Sequence, residues 1–239
     1  MNPTSGVISE AWGHYKSQWQ HLIGIAFVVY LVIALISAAL VGLLGLVGAL
    51  LAAGIGLTGV FLLQGALVKA VEDIRDGRAD LSMADTLSAV REKIPPIAGA
   101  SILAGIGIAV GLVLLIVPGL FLLTIWVLIV PTIVLENRRA MEAFGRSREL
   151  VRGNGWNVFG IILLTWLVLF GVGLVIELIL AAFGDEVRAF LGDLVSGTVT
   201  APFIALVYTL LYYRLRESAV PPPSPGTAQP SPGPPPPPS

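Results

Sequence analysis

Cysteine is absent from the sequence and charge is scarce: 12% of the 239 residues are Asp, Glu, Lys or Arg, about half the share in an ordinary soluble domain. Without cysteine there is no disulfide framework and no thiolate metal site. Scarce charge excludes a water-soluble globule, since 15 acidic and 14 basic side chains cannot solvate a chain that is 56% hydrophobic. Histidine is rare as well. His14 and His21 stand seven residues apart, about 10 Å along a helix, too far to share a metal held at about 2 Å from each. Beside Trp12 and Trp19 they suit the headgroup level of a membrane. The sequence holds no Gly-rich phosphate loop with its lysine, no zinc-protease helix and no Ser/His/Asp set. Gly54-Ile55-Gly56-Leu57-Thr58-Gly59 spells a dinucleotide fingerprint, but it lies inside an apolar run with no strand before it. There the small residues serve helix packing. No catalytic residue, metal ligand or cofactor site is expected.

Long apolar runs are what the sequence does have. Residues 22–68 form a charge-free run of 47, and 94–135 a second of 42. At about 20 residues per crossing each holds two helices and a turn. Gly42, Gly45 and Gly48 mark the first turn. At Val117-Pro118-Gly119 proline is expected to end one helix and glycine to supply the permissive backbone of the second turn. Two more runs follow. The predicted spans are 22–40, 47–68, 96–117, 120–135, 156–177 and 194–213. None shows the alternation a transmembrane barrel requires. The fold class is all-α: a polytopic membrane protein with six transmembrane helices as three hairpins, within a domain over 1–217.

Thirteen of the 14 basic residues fall before span one, between spans two and three, between four and five, or after six; only Arg188 lies opposite. By the positive-inside rule both termini are cytoplasmic. Glu177, Asp185, Glu186 and Asp193 make the outer face acidic. About 20 mostly polar residues precede the first apolar run and no clear cleavage site follows it, so that run reads as a retained span and not as a signal peptide.

Ile8, Trp12, Tyr15, Trp19 and Leu22 repeat at helical spacing and predict an interfacial helix over 7–20. Met83, Leu87, Val90, Ile94 and Ile97 repeat that stripe 75 residues later, with Asp85 and Arg91 in the places of Glu10 and Lys16, and predict a second over 82–94. Ser82 and Asp85 fit a capping box. Glu142, Phe144 and Arg148 occupy corresponding places 132 residues on from the first stripe, in a third surface helix over 138–152. Either the chain is three units, each a surface helix feeding a hairpin, or any amphipathic helix before a span looks this way. Residues 218–239 carry 11 prolines and no charge, so they are expected to form a disordered cytoplasmic tail, solvated or docked on an aromatic groove.

Buried ionisable groups mark transport paths, and the spans hold almost none. Gln64 is the main polar side chain within them, expected to hydrogen-bond to a neighbouring helix. Nucleic-acid binding lacks support because the basic residues alternate with Asp and Glu beside the membrane. Arg138, Arg139, Arg146, Arg148 and Arg152 are candidate contacts for anionic lipid headgroups, or else ordinary positive-inside anchors.

Pro118-Gly119, then Pro131 and Glu136, then Ala143, Ser147, Leu150, Gly153 and Trp156 form a series that resembles the bacterial glycerophosphoryl diester phosphodiesterase membrane-domain family. The likeness is densest over 94–164. It implies a multi-pass protein of the bacterial inner membrane; the family's name comes from members in which this domain is joined to a soluble catalytic barrel. No polar stretch here is long enough for that barrel. Physically, Pro131 is expected to kink the end of span four. Glu136 is expected to open the next surface helix and pair with Arg139 or Arg148, while Ser147 and Gly153 let that helix lie against the bundle. The motif reads as a structural corner.

The leading expectation is a non-enzymatic module that binds membrane lipids or organises a protein partner through its surface helices or tail, with homo-oligomers open. The alternative is a permease or lipid-translocating channel. An interfacial hydrolase has only the family's name behind it.

Overall fold

A computed structural model describes residues 4–76 and 83–219, without the side chains of 83, 87, 185–190 and 193. Ser82 of the expected capping box, Arg78, the Pro-rich stretch 221–239 and the side chains of Asp185, Glu186, Arg188 and Asp193 therefore lie outside the described residues. All described elements are helical: α1 (Val7–Arg75), α2 (Met83–Arg91), α3 (Ile94–Leu114), α4 (Ile116–Trp126), α5 (Ile129–Leu135), α6 (Ala140–Val151), α7 (Gly155–Leu180) and α8 (Asp185–Ala219). Five stretches are long and apolar enough to cross a membrane: α1, α3, α4 with α5, α7, and 194–219 of α8.

α1 runs over 69 residues as helical segments joined across kinks, its backbone leaving helical geometry at Gln18 and at Gly45. At Gly45 φ is 55° and ψ is −127°, a combination that any Cβ opposes, so glycine is required there. On either side of Gly45 the two arms lie together: a Cβ on Gly59 would sit 2.5 Å from Cδ1 of Ile33. Of the three glycines that mark this region in the sequence, Gly45 alone has a positive φ.

The second break departs from expectation. Leu115, in extended geometry at φ −159° and ψ 135°, separates α3 from α4, and Pro118 lies within the first turn of α4. Proline is tolerated there because first-turn N–H groups have no partner inside the helix. Gly119 serves by size: a Cβ on Gly111 would lie 3.0 Å from the Gly119 Cα, so the two backbones nearly touch. The missing side chains, and not a permissive turn, are what this site needs.

Small residues set the packing elsewhere too. Ala26, Ala66, Ala100 and Ala104 are buried, and a Cβ on Gly65 would meet Ile97 at 3.0 Å and Val90 at 3.3 Å. Lipid tails are as apolar as leucine, so helices associate in a bilayer through such close contact and not through hydrophobic expulsion. The core pairs Leu22, Ile25 and Leu67 of α1 with Leu206, Leu211, Tyr212 and Leu215 of α8. Much of α7 presents Leu163, Leu167, Phe170, Leu174 and Leu178 outward, as a lipid-facing helix does.

Each predicted surface helix docks differently. The first segment of α1 rests on α8 through the Tyr15 hydroxyl, which donates to the Val199 carbonyl at 3.0 Å, and through the edge of Phe203 against Trp12 and Tyr15. Its buried stripe is Val7, Ala11 and Leu22, whereas Trp12 and Trp19 are half exposed. Trp12 thus keeps one edge contact with α8 while half of its surface stays open. α2 meets α1 where Val90 faces Gly65. α6 packs on α4 through Phe144, edge-on to Trp126 with ring centroids 4.9 Å apart. Gln64, expected to reach a neighbouring helix, makes no side-chain hydrogen bond among the described residues; it is partly exposed.

Candidate functional site

Pro131 organises the site. Its ring and missing N–H disfavour the helical turn before it, and the helix parts between Trp126 and Ile129. The break leaves backbone groups without helical partners in a buried place. Ser147 of α6 meets two of them: its Oγ donates to the Ile125 carbonyl at 2.7 Å and accepts from the Leu128 N–H at 3.1 Å. Ser147 is fully buried.

α6 reaches this position because its sequence is amphipathic. Ala143, Ser147, Leu150 and Val151 are its buried residues, at the i, i+4, i+7, i+8 spacing of one face. The Ala, Ser and Leu of the motif are thus its docking stripe. Glu142 accepts a hydrogen bond from the Arg139 N–H at 3.3 Å and caps the first turn. At the other end Gly153, at φ 84°, stops the helix. A Cβ there would meet nothing within 4 Å, so Gly153 is needed for its backbone and not, as its size suggested, for closeness to the bundle.

Glu136 closes α5 and does not open α6. That difference changes its partners. Arg139 and Arg148, the expected ones, make no ion pair among the described residues. Instead the Arg146 Nε donates to both carboxylate oxygens at 3.0 Å, the Arg138 Nε to one at 3.2 Å, and the Tyr212 hydroxyl to the other at 3.1 Å. Only 11% of the Glu136 side chain is exposed. Burial pushes its pKa up, but hydrogen bonds from Arg146 and Tyr212 with the Arg146 charge prevail, and the net shift is downward. The carboxylate stays ionised with its acceptor sites engaged. Arg146 also reaches Glu149, at 3.4 Å.

Further links gather charged residues at the same end of the bundle. Arg214 of α8 pairs with Glu10 and donates to the Ser5 carbonyl. Arg75 pairs with Glu217 at 2.7 Å and lies 3.7 Å from the Tyr213 ring centroid. Lys93 donates to Asn137, which holds a left-handed φ of 56° that asparagine tolerates.

The five arginines therefore divide. Arg138 and Arg146 are spent on Glu136, whereas Arg139, Arg148 and Arg152 are exposed and make no ion pair among the described residues. Next to them Trp156 is 88% exposed at the start of α7. No group of three metal-ligating side chains occurs among the described residues. Tyr212 has no sequence signal as a partner of Glu136, since 76 residues separate them.

No protein-family model, curated protein or solved structure matches this chain.

Proposed function

We propose that this protein is a six-crossing bacterial inner-membrane module without enzymatic activity, which binds anionic lipid headgroups at its cytoplasmic face. The carrying observation is the trio Arg139, Arg148 and Arg152, exposed and without ion pairs among the described residues. They adjoin an outward tryptophan of the kind that sits among headgroups. Each such arginine is worth about 1 kcal/mol near an anionic leaflet. Glu136, the most enclosed carboxylate of the corner, is ionised and saturated with donors, which suits a structural joint and not a proton-transferring group.

The six-crossing reading draws on α1. Sixty-nine residues would extend about 100 Å if straight, more than three hydrocarbon thicknesses. With Ile33 against Gly59, the reading is a hairpin turning at Gly45. The links Arg214–Glu10, Arg75–Glu217, Lys93–Asn137 and Tyr212–Glu136 fit an even number of crossings between each partner. The positive-inside rule makes that end cytoplasmic. Three units of surface helix and hairpin, and the family resemblance at the Pro131–Glu136–Ser147 corner, belong to the same reading.

The test is lipid composition around the protein extracted in polymer nanodiscs from vesicles of phosphatidylglycerol and phosphatidylcholine. Anionic lipid should be enriched, and R139Q/R148Q/R152Q should reduce the enrichment about tenfold or more. Unchanged enrichment in the triple variant would end the lipid reading of these arginines.

A further inference from the structure

A groove of about 520 Å³ lies between the two arms of α1, beneath α2 and the start of α3. Its size falls within the range of small-ligand sites. Val28, Val32, Ile33, Leu62 and Leu63 make its walls, and Gly59 and Ala66 leave it room. From Ala66 to Gly59 it follows α1 for about 10 Å. Val28 and Val32 are 38% and 49% exposed, so the groove opens sideways, where the bilayer would lie.

Its polar atoms are confined to one lip. Ser88 and Arg91 of α2 stand there beside Val90 and Ile94, and the Ser88 hydroxyl is already spent, donating to the Asp85 carbonyl at 2.9 Å, which leaves Arg91 as the donor of the lip. Arg91 is exposed and makes no ion pair among the described residues. The next residue, Glu92, does not line the groove, and Lys93 is engaged by Asn137. The lip is level with Gly65, which Val90 and Ile97 meet, one turn from Lys69, the first charge after the apolar run. An apolar slot that begins at a cation at headgroup depth and runs inward matches one amphiphile. That is an anion at the top with a hydrocarbon chain below it.

We infer that this groove holds one anionic phospholipid of the cytoplasmic leaflet, its phosphate on Arg91 and an acyl chain between the arms of α1. The site deepens the lipid-binding reading above and shares its orientation, but it is separate from the α6 arginines. One bound lipid is expected here, as against an enriched shell there.

Native mass spectrometry of the full chain, released from nanodiscs of phosphatidylglycerol and phosphatidylcholine, distinguishes them. One phosphatidylglycerol per chain should survive release. Val32→Trp, which fills the slot from its exposed side without entering the core, should abolish it. Arg91→Gln should lower its occupancy about fivefold, and Arg91→Lys should restore most of it. R139Q/R148Q/R152Q should leave it in place. Retention of the lipid in Val32→Trp overturns the groove while the enriched shell remains. Absence of a retained lipid from the unmodified chain overturns it as well. Loss in the triple variant alone would move the lipid to α6.

Discussion

Glu136→Gln is expected to destabilise the protein by about 2–3 kcal/mol, among the largest effects of any single substitution at the charged end. The carboxylate accepts from Arg146, Arg138 and Tyr212, and hydrogen bonds to a charged group contribute about 1.5–3 kcal/mol. The amide that replaces it turns two donors toward other donors. It also leaves the Arg146 charge, 27% exposed, without its main counter-ion, and removing one member of an enclosed pair costs more than removing both. The double variant E136Q/R146Q should therefore cost less than the two single changes added together.

The same cluster sets a pH dependence. Because the folded pKa of Glu136 is depressed, its contribution is fully present above the unfolded carboxylate value of about 4.3. It is lost as pH falls through the lower folded value. Unfolding in mild detergent should show the wild type losing stability over that acidic window and Glu136→Gln losing less. Parallel curves would mean that Glu136 is not held as an ionised group.

Ser147→Ala should cost about 2–4 kcal/mol, although it removes a single oxygen. That oxygen serves the Ile125 carbonyl and the Leu128 N–H at the Pro131 break. Each group left unpaired in the dry interior costs about 1–3 kcal/mol. Ser147→Cys, with a weak donor and acceptor of similar size, should fall between the two. Hydrogen exchange gives the local readout, since the Leu128 amide should lose protection in Ser147→Ala while amides of the α7 core do not. Equal stability and an unchanged Leu128 amide would show that the break is sealed in another way.

Much of this was legible in the sequence, and the reasons differ by residue. Apolar runs gave the membrane helices because length and composition alone decide whether a segment can cross. Periodicity predicts helices over 7–20, 82–94 and 138–152, and the described residues there are largely helical, whereas the cap at Glu142 and the stop at Gly153 emerge only from the structure. Partners were harder. For Glu136 the sequence points to Arg139 or Arg148, its near neighbours along the chain. Its actual partners depend on α5 ending at Glu136 and on Tyr212 arriving from the far end of the chain. Pro118 and Gly119 signal a break, but it falls at Leu115 and both residues lie inside α4. A proline's effect depends on which helix claims it, and a glycine's on what lies opposite. Likewise Trp12 and Trp19 share a stripe with Ile8, Tyr15 and Leu22, yet both are half exposed while Val7 and Ala11, off that stripe, are buried.

The proposed orientation and double crossing of α1 are tested directly by labelling of single cysteines. With no native cysteine in the chain, each introduced thiol reports without background. Leu43→Cys, Val113→Cys and Phe183→Cys replace residues that are 82%, 86% and 52% exposed. They should react with a membrane-impermeant maleimide only from outside the cell. Met141→Cys and Ser218→Cys should react only in inverted vesicles. Labelling of Leu43→Cys from the same side as Met141→Cys would contradict the hairpin at Gly45, and with it the six-crossing architecture.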